Sequence, residues 1–197
     1  MSNLVKINPP PPNICEILRY AGGASDEKTV SLCEECLKEA ENYLSFSICY
    51  RILEVNIGDD FCDFGVFSVK SRGLAKNLAL CRKVCIFGAT LGANFDRLLI
   101  KYTRISPVKA LIFQAIGAER VEALCNAFCL SLKGEGYTLK PRFSAGYGDL
   151  PLEVNKNIFT VLNLEKNLGV TLNDSLLMSP TKSVTAFVGV LEENYGF

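Results

Sequence analysis

The 197-residue sequence predicts a single α+β domain, a mainly antiparallel, twisted sheet flanked by helices. Three observations predict it. Helix-like and strand-like runs follow one another without the regular alternation of βαβ units. The run Val84-Cys85-Ile86-Phe87-Gly88 is short and almost wholly apolar, as a buried strand is. At 49% hydrophobic and 21% charged the composition is globular, with no break or internal repeat to mark a second domain. Residues 28–197 are therefore read as one domain and residues 1–27 as an extended N-terminal arm.

Within the arm, Pro9 to Pro12 form a polyproline stretch, laid over the domain rather than offered to an SH3-type module. Thr29 to Leu44 reads as an amphipathic helix, with Val30, Cys33, Leu37 and Leu44 inward and Glu34, Glu35, Lys38 and Glu41 toward water. Ser47 to Ile57 is strand-like through Ile48, Ile52 and Val55. Gly58 and Asp59 turn the chain, Phe64 to Val69 is short and mixed, and Ser71 N-caps a helix to Leu80. After the buried strand, Thr90-Leu91-Gly92 is a turn and Ala93 to Ile105 a helix. Ser106-Pro107, an N-cap followed by a first-turn proline, opens a long helix to about Leu132 that Gly134 and Gly136 end. Tyr137 to Gly148 is irregular. Leu152 to Leu162 and Glu165 to Leu168 are short helices, the second stopped by Gly169. Val170 to Met178 and Val184 to Val190 are strands joined through Ser179-Pro180-Thr181-Lys182.

Composition narrows the function. Lys+Arg and Asp+Glu both number 21, so no basic excess exists to neutralise phosphates and no nucleic-acid partner is expected. No apolar run approaches the roughly 20 residues that span a bilayer, so no membrane is expected either. The opening MSNLVKINPPPP lacks an apolar signal core, which makes a cytoplasmic location the expectation. Histidine is absent, which excludes Ser-His-Asp and Cys-His catalysis, His-ligated zinc and any imidazole supplied to cobalt or haem by this chain. The nine cysteines, an odd number without a signal peptide, are expected to be reduced and metal-free. Cys81/Cys85 and Cys125/Cys129 read as small buried hydrophobes. Cys33-Glu34-Glu35-Cys36 has C-x-x-C spacing, but no second such pair completes a metal site, and a mid-helix position does not stabilise a thiolate.

Two places carry polar chemistry. On the long helix each residue advances roughly 100°. Leu111, Ala115, Ala118, Glu122, Cys125 and Cys129 then share one face, with Lys109 and Arg120 opposite. A carboxylate amid an apolar face is costly unless paired, so Glu122 is either half of an ion pair with a core arginine or a carboxylate facing a ligand. The second place is Pro141-Arg142-Phe143-Ser144-Ala145-Gly146-Tyr147-Gly148-Asp149. Arg142 suits a carboxylate through two parallel hydrogen bonds. Ser144 adds a hydroxyl, Gly146 and Gly148 let backbone approach a ligand, and Tyr147 offers a flat face or a phenol.

Arg142-Phe143-Ser144-Ala145-Gly146-Tyr147 resembles the Arg-Pro-Ala-x-Gly-Tyr loop of the reactivation domain of cobalamin-dependent methionine synthase. The similarity continues through Leu164-Glu165-Lys166-Asn167-Leu168-Gly169-Val170-Thr171-Leu172-Asn173-Asp174-Ser175-Leu176-Leu177-Met178-Ser179-Pro180, which matches the family's Glu-Lys…Gly-x-x-Leu-Thr-Glu-Ser…Met-x-Pro pattern. Upstream, Val121-Glu122-Ala123 aligns with the family helix whose Glu contacts the ligand. The resemblance runs from about Ala115 to Val190 and implies an activation-domain-like α+β fold for residues 28–197. It departs where Phe143 and Ala145 replace both loop prolines and Gly148 replaces the proline after Tyr. The family's N-terminal Asp-Trp segment finds no counterpart, and Tyr195 is not matched to its late tyrosine.

The resemblance implies that the chain binds S-adenosylmethionine. Arg142 would engage the methionine carboxylate, Ser144 would bind through backbone, Tyr147 would lie between ligand and corrinoid, and Glu122 would supply the carboxylate; Gly146 joins them as the point of close backbone approach. It also implies a partner, a methionine synthase core protein carrying the cobalamin, with flavodoxin or another donor supplying the electron for reductive methylation. A stand-alone chain of this kind would have little or no turnover by itself and no catalytic residue of its own. Two other readings stay open: a corrinoid-protein docking module without ligand, and a redox or metal protein built on the cysteines.

Overall fold

A computed structural model describes residues 2–23 and 26–191; Tyr195 lies outside them. In chain order the elements begin with β1 (Asn3–Val5), α1 (Ile14–Tyr20), α2 (Glu27–Ala40), β2 (Ser47–Glu54), β3 (Asn56–Ile57), β4 (Phe61–Asp63), β5 (Ser68–Lys70) and α3 (Arg72–Asn77). They continue with β6 (Lys83–Thr90), α4 (Ala93–Ile105), α5 (Pro107–Gly134), β7 (Thr138–Leu139), α6 (Val154–Leu162), α7 (Leu164–Leu168), β8 (Thr171–Leu172), β9 (Met178–Ser179) and β10 (Ser183–Leu191). The class is the predicted one. A five-stranded sheet, β1-β2-β6-β10-β7, is antiparallel throughout, with a three-stranded sheet β3-β4-β5 and the hairpin β8-β9 beside it.

β6 lies at the centre, paired along its full length with β2 and β10, and seven of its eight residues are buried. Such a strand shows no apolar–polar alternation because both faces of the sheet are covered. Cys85, Phe87 and Ala89 join Ala186 and Val188 under α1, α2, α4 and α5. Val84 and Ile86 join Phe187, Leu53 and Cys49 under the small sheet and α3, α6 and α7. The second layer sits close because Gly88 has no side chain: a Cβ there would lie 2.8 Å from a methyl of Leu164.

Two expectations change. The segment read as an extended arm holds β1, which pairs with β2 as an edge strand, and α1. Asn13 N-caps α1 by accepting from the Glu16 amide, and Ile14, Ile17 and Leu18 form a short apolar stripe that packs against α5, with Ile17 fully buried. The long proline run hides this signal in the sequence. Val170 to Met178, read as one strand, is a hairpin. Asn173 turns it, its side-chain oxygen accepting from the Leu177 amide at 2.9 Å, as Asn does in tight turns.

The cysteines belong to this interior. All nine are free, and Cys33, Cys36, Cys49, Cys62, Cys81, Cys85 and Cys125 are buried. Burial pushes the Cys36 and Cys62 thiols from an ordinary 9.0 up to about 11 and Cys125 up to about 12. The folded chain therefore keeps protons that the unfolded chain loses above about pH 9. Stability should fall as pH rises from there toward 11–12, which denaturant titrations at pH 8 and 10.5 in reductant would show. Equal stability at the two pH values would contradict the assignment.

Candidate functional site

The site begins on α5. Ser106 accepts from the Lys109 amide at 3.4 Å, and Pro107 takes the first helical position, so a 28-residue helix starts where its caps dictate. It is nearly all enclosed: α1, α2 and α4 pack on it from outside and the sheet from inside. This corrects the helical-wheel expectation in part: Ala115 and Cys125 are buried as expected, but Leu111 and Glu122 are not. The stripe through Leu111, Gln114, Ala118, Glu122, Asn126 and Leu130 is the one that reaches solvent. Glu122 therefore sits on the open stripe, with its side chain 47% exposed. Arg120, on the opposite face as expected, is 3% exposed.

Arg120 is buried because it has work inside. Its guanidinium makes two bonds to Glu119, at 2.5 and 2.7 Å, and donates to the carbonyls of Pro10 at 2.6 Å and Pro11 at 3.3 Å. Glu119 in turn accepts from the Asn13 amide at 3.3 Å. The proline run is thereby held on α5 as one wall of an open groove of about 510 Å³, whose other wall includes Glu122 and Asn126.

The second component is the 141–150 loop. Phe143, standing where the resembling loop has proline, is its anchor: the ring is buried and its backbone exchanges two hydrogen bonds with Phe187 of β10, at 2.9 and 2.8 Å. Asp149 fastens the far end, accepting from the Ser71 hydroxyl at 2.5 Å and from the Arg72 and Gly73 amides at 2.7 and 3.1 Å. Those bonds, Ser71's first among them, hold its carboxyl below the usual carboxylate range. In the sequence Asp149 stands out only as the end of the loop that follows Gly148. Between the anchors the chain turns tightly. Gly146 has φ +85° and donates to the Leu150 carbonyl, and the Ser144 carbonyl accepts from the Tyr147 amide. Tyr147 is 68% exposed, its ring edge-on to Phe143.

Of the residues singled out from the sequence, Glu122 and Arg142 come into direct contact: Arg142 Nη2 donates to Glu122 Oε2 at 2.7 Å. Ser144, Gly146 and Tyr147 follow Arg142 on the same loop. Arg142 Nη1 is buried and has no hydrogen-bond partner among the described residues. A buried guanidinium nitrogen without an acceptor is unfavourable. Beside it the half-exposed Glu122 carboxylate can take a cation. Together the pair suits a small zwitterion. Cys33 and Cys36 offer no comparable site, for both are buried against the core and burial raises both thiols. Among the described residues no three His, Cys, Asp or Glu side chains gather as a metal site, and no helix is long and apolar enough to cross a membrane.

No family model matches the sequence, and no curated protein does. Among solved structures, the MetH reactivation domain bound to AdoHcy matches with a TM-score of 0.65 at 14% identity, over 100% of this chain and 80% of that one. The chain shares that domain's fold.

Proposed function

We propose that this chain binds S-adenosylmethionine at the Glu122–Arg142 pair and caps the cobalamin of a corrinoid-bearing partner during reductive methylation. The observation that supports this best is the Glu122–Arg142 ion pair, with the Glu122 carboxylate half-exposed, on a fold shared with a domain solved with AdoHcy. The ligand's carboxylate would accept from the Arg142 guanidinium and its ammonium would face Glu122. Ser144 would contribute backbone, and Gly146 would let the loop lie close. Tyr147, with its ring exposed, would present an aromatic face to the sulfonium on one side and to the partner's corrin on the other. S-adenosylmethionine supplies the methyl group; the residues of this chain bind and orient it.

Labelling tests the reading. The chain is mixed with a corrinoid-loaded methionine synthase core that lacks its own reactivation domain, flavodoxin or a chemical reductant, and methyl-labelled S-adenosylmethionine. Label should move to the corrinoid only when this chain is present. Transfer at the same rate without it would refute the proposal.

A further inference from the structure

Behind the Glu122–Arg142 pair, on the side away from the proline run, a groove of about 350 Å³ opens between the last turns of α5 and β7. Its lining includes Lys133, Lys140 and Arg142, with Asn126 and Cys129 between them, and no carboxylate. Neither lysine makes an ion pair among the described residues. Two lysines without ion pairs and the Glu122-paired Arg142 face one concavity, and the groove focuses the lysines' field. The backbone at Lys140 is fixed in place, because its amide donates to the Gly189 carbonyl of β10 at 2.9 Å. Lys133 lies in the last turn of α5, where a cation also complements the helix dipole. That accounts for Lys133 alone; it explains neither Lys140 nor the unpartnered, buried Arg142 Nη1.

We infer that Lys133, Lys140 and Arg142 form an oxyanion-binding groove, and that the two lysines set its affinity. The identity of the anion rests on the S-adenosylmethionine reading: the ligand's carboxylate would enter from this side while its ammonium faces Glu122. A free inorganic phosphate offers the same chemistry without that reading.

Calorimetry on the full chain separates these sources, using S-adenosylmethionine, 5′-methylthioadenosine (which lacks the carboxylate and ammonium) and inorganic phosphate as probes. Lys133→Gln with Lys140→Gln should weaken S-adenosylmethionine binding about tenfold and flatten its salt dependence. It should leave 5′-methylthioadenosine binding and the thermal midpoint unchanged. If the wild type takes up phosphate in a lysine-dependent way but no S-adenosylmethionine, the groove stands and the ligand reading fails. If the wild type binds S-adenosylmethionine and the double variant binds it equally well, the groove assignment is overturned while the ligand reading survives. Equal weakening of both nucleosides, or no binding of any anion, also overturns the groove assignment.

Discussion

Arg120→Ala should cost about 3–5 kcal/mol of folding stability, the usual loss when one partner of a buried ion pair is removed. Arg120 and Glu119 are 3% and 7% exposed, so truncation strands a carboxylate that has only the Asn13 amide left. The carbonyls of Pro10 and Pro11 lose their donor as well. In a chain of this length each kcal/mol shifts Tm by about 2–4 °C, so the midpoint should fall by about 6–20 °C. Arg120→Met combined with Glu119→Gln should recover much of the loss, since the stranded charge is gone. Thermal unfolding followed by circular dichroism checks both. A single variant within 2 °C of wild type would mean that the proline run is not held through this residue.

The second large effect is on binding. A charge-assisted pair to a carboxylate contributes about 1.5–3 kcal/mol, and about 1.4 kcal/mol is one decade of affinity. Arg142→Ala should therefore weaken S-adenosylmethionine binding tenfold or more. Arg142→Lys should recover only part, because a point charge does not reproduce the planar fork. Stability should barely change. The Arg142 and Glu122 side chains are 24% and 47% exposed, and pairs so open to solvent contribute about 0–1 kcal/mol. This split, affinity lost and fold kept, distinguishes Arg142 from Arg120.

Those two arginines also show what was legible in the sequence. Local signals were read well: Ser106-Pro107 opens α5, Ser71 caps α3, and the apolar run at 84–88 is the central strand. Signals that depend on neighbours were not. A helical wheel assumes one buried face, whereas α5 is covered on nearly every side, so a wheel does not show that the face opposite Glu122 buries Arg120 as well. The partners that draw Arg120 inward, Pro10 and Pro11, lie 110 and 109 positions away. α1 was missed because three apolar residues after four prolines make a weak pattern. At the site, Arg142 and Glu122 were found through loop chemistry and resemblance. Their contact, across 20 positions, comes from the packing of α5 against the loop that Phe143 and Asp149 anchor. Lys133 and Lys140 had no motif to announce them; only the groove brings them together with Arg142.

The central claim is that the Glu122–Arg142 pair is a ligand site rather than a closed structural contact. Titrating the purified full chain with S-adenosylmethionine by calorimetry tests it most directly. Saturable binding of one ligand per chain is expected, reduced at least tenfold in Arg142→Ala. Absence of binding at millimolar S-adenosylmethionine would contradict it, leaving Arg142 as the structural partner of Glu122 and the chain as a docking module on the same fold.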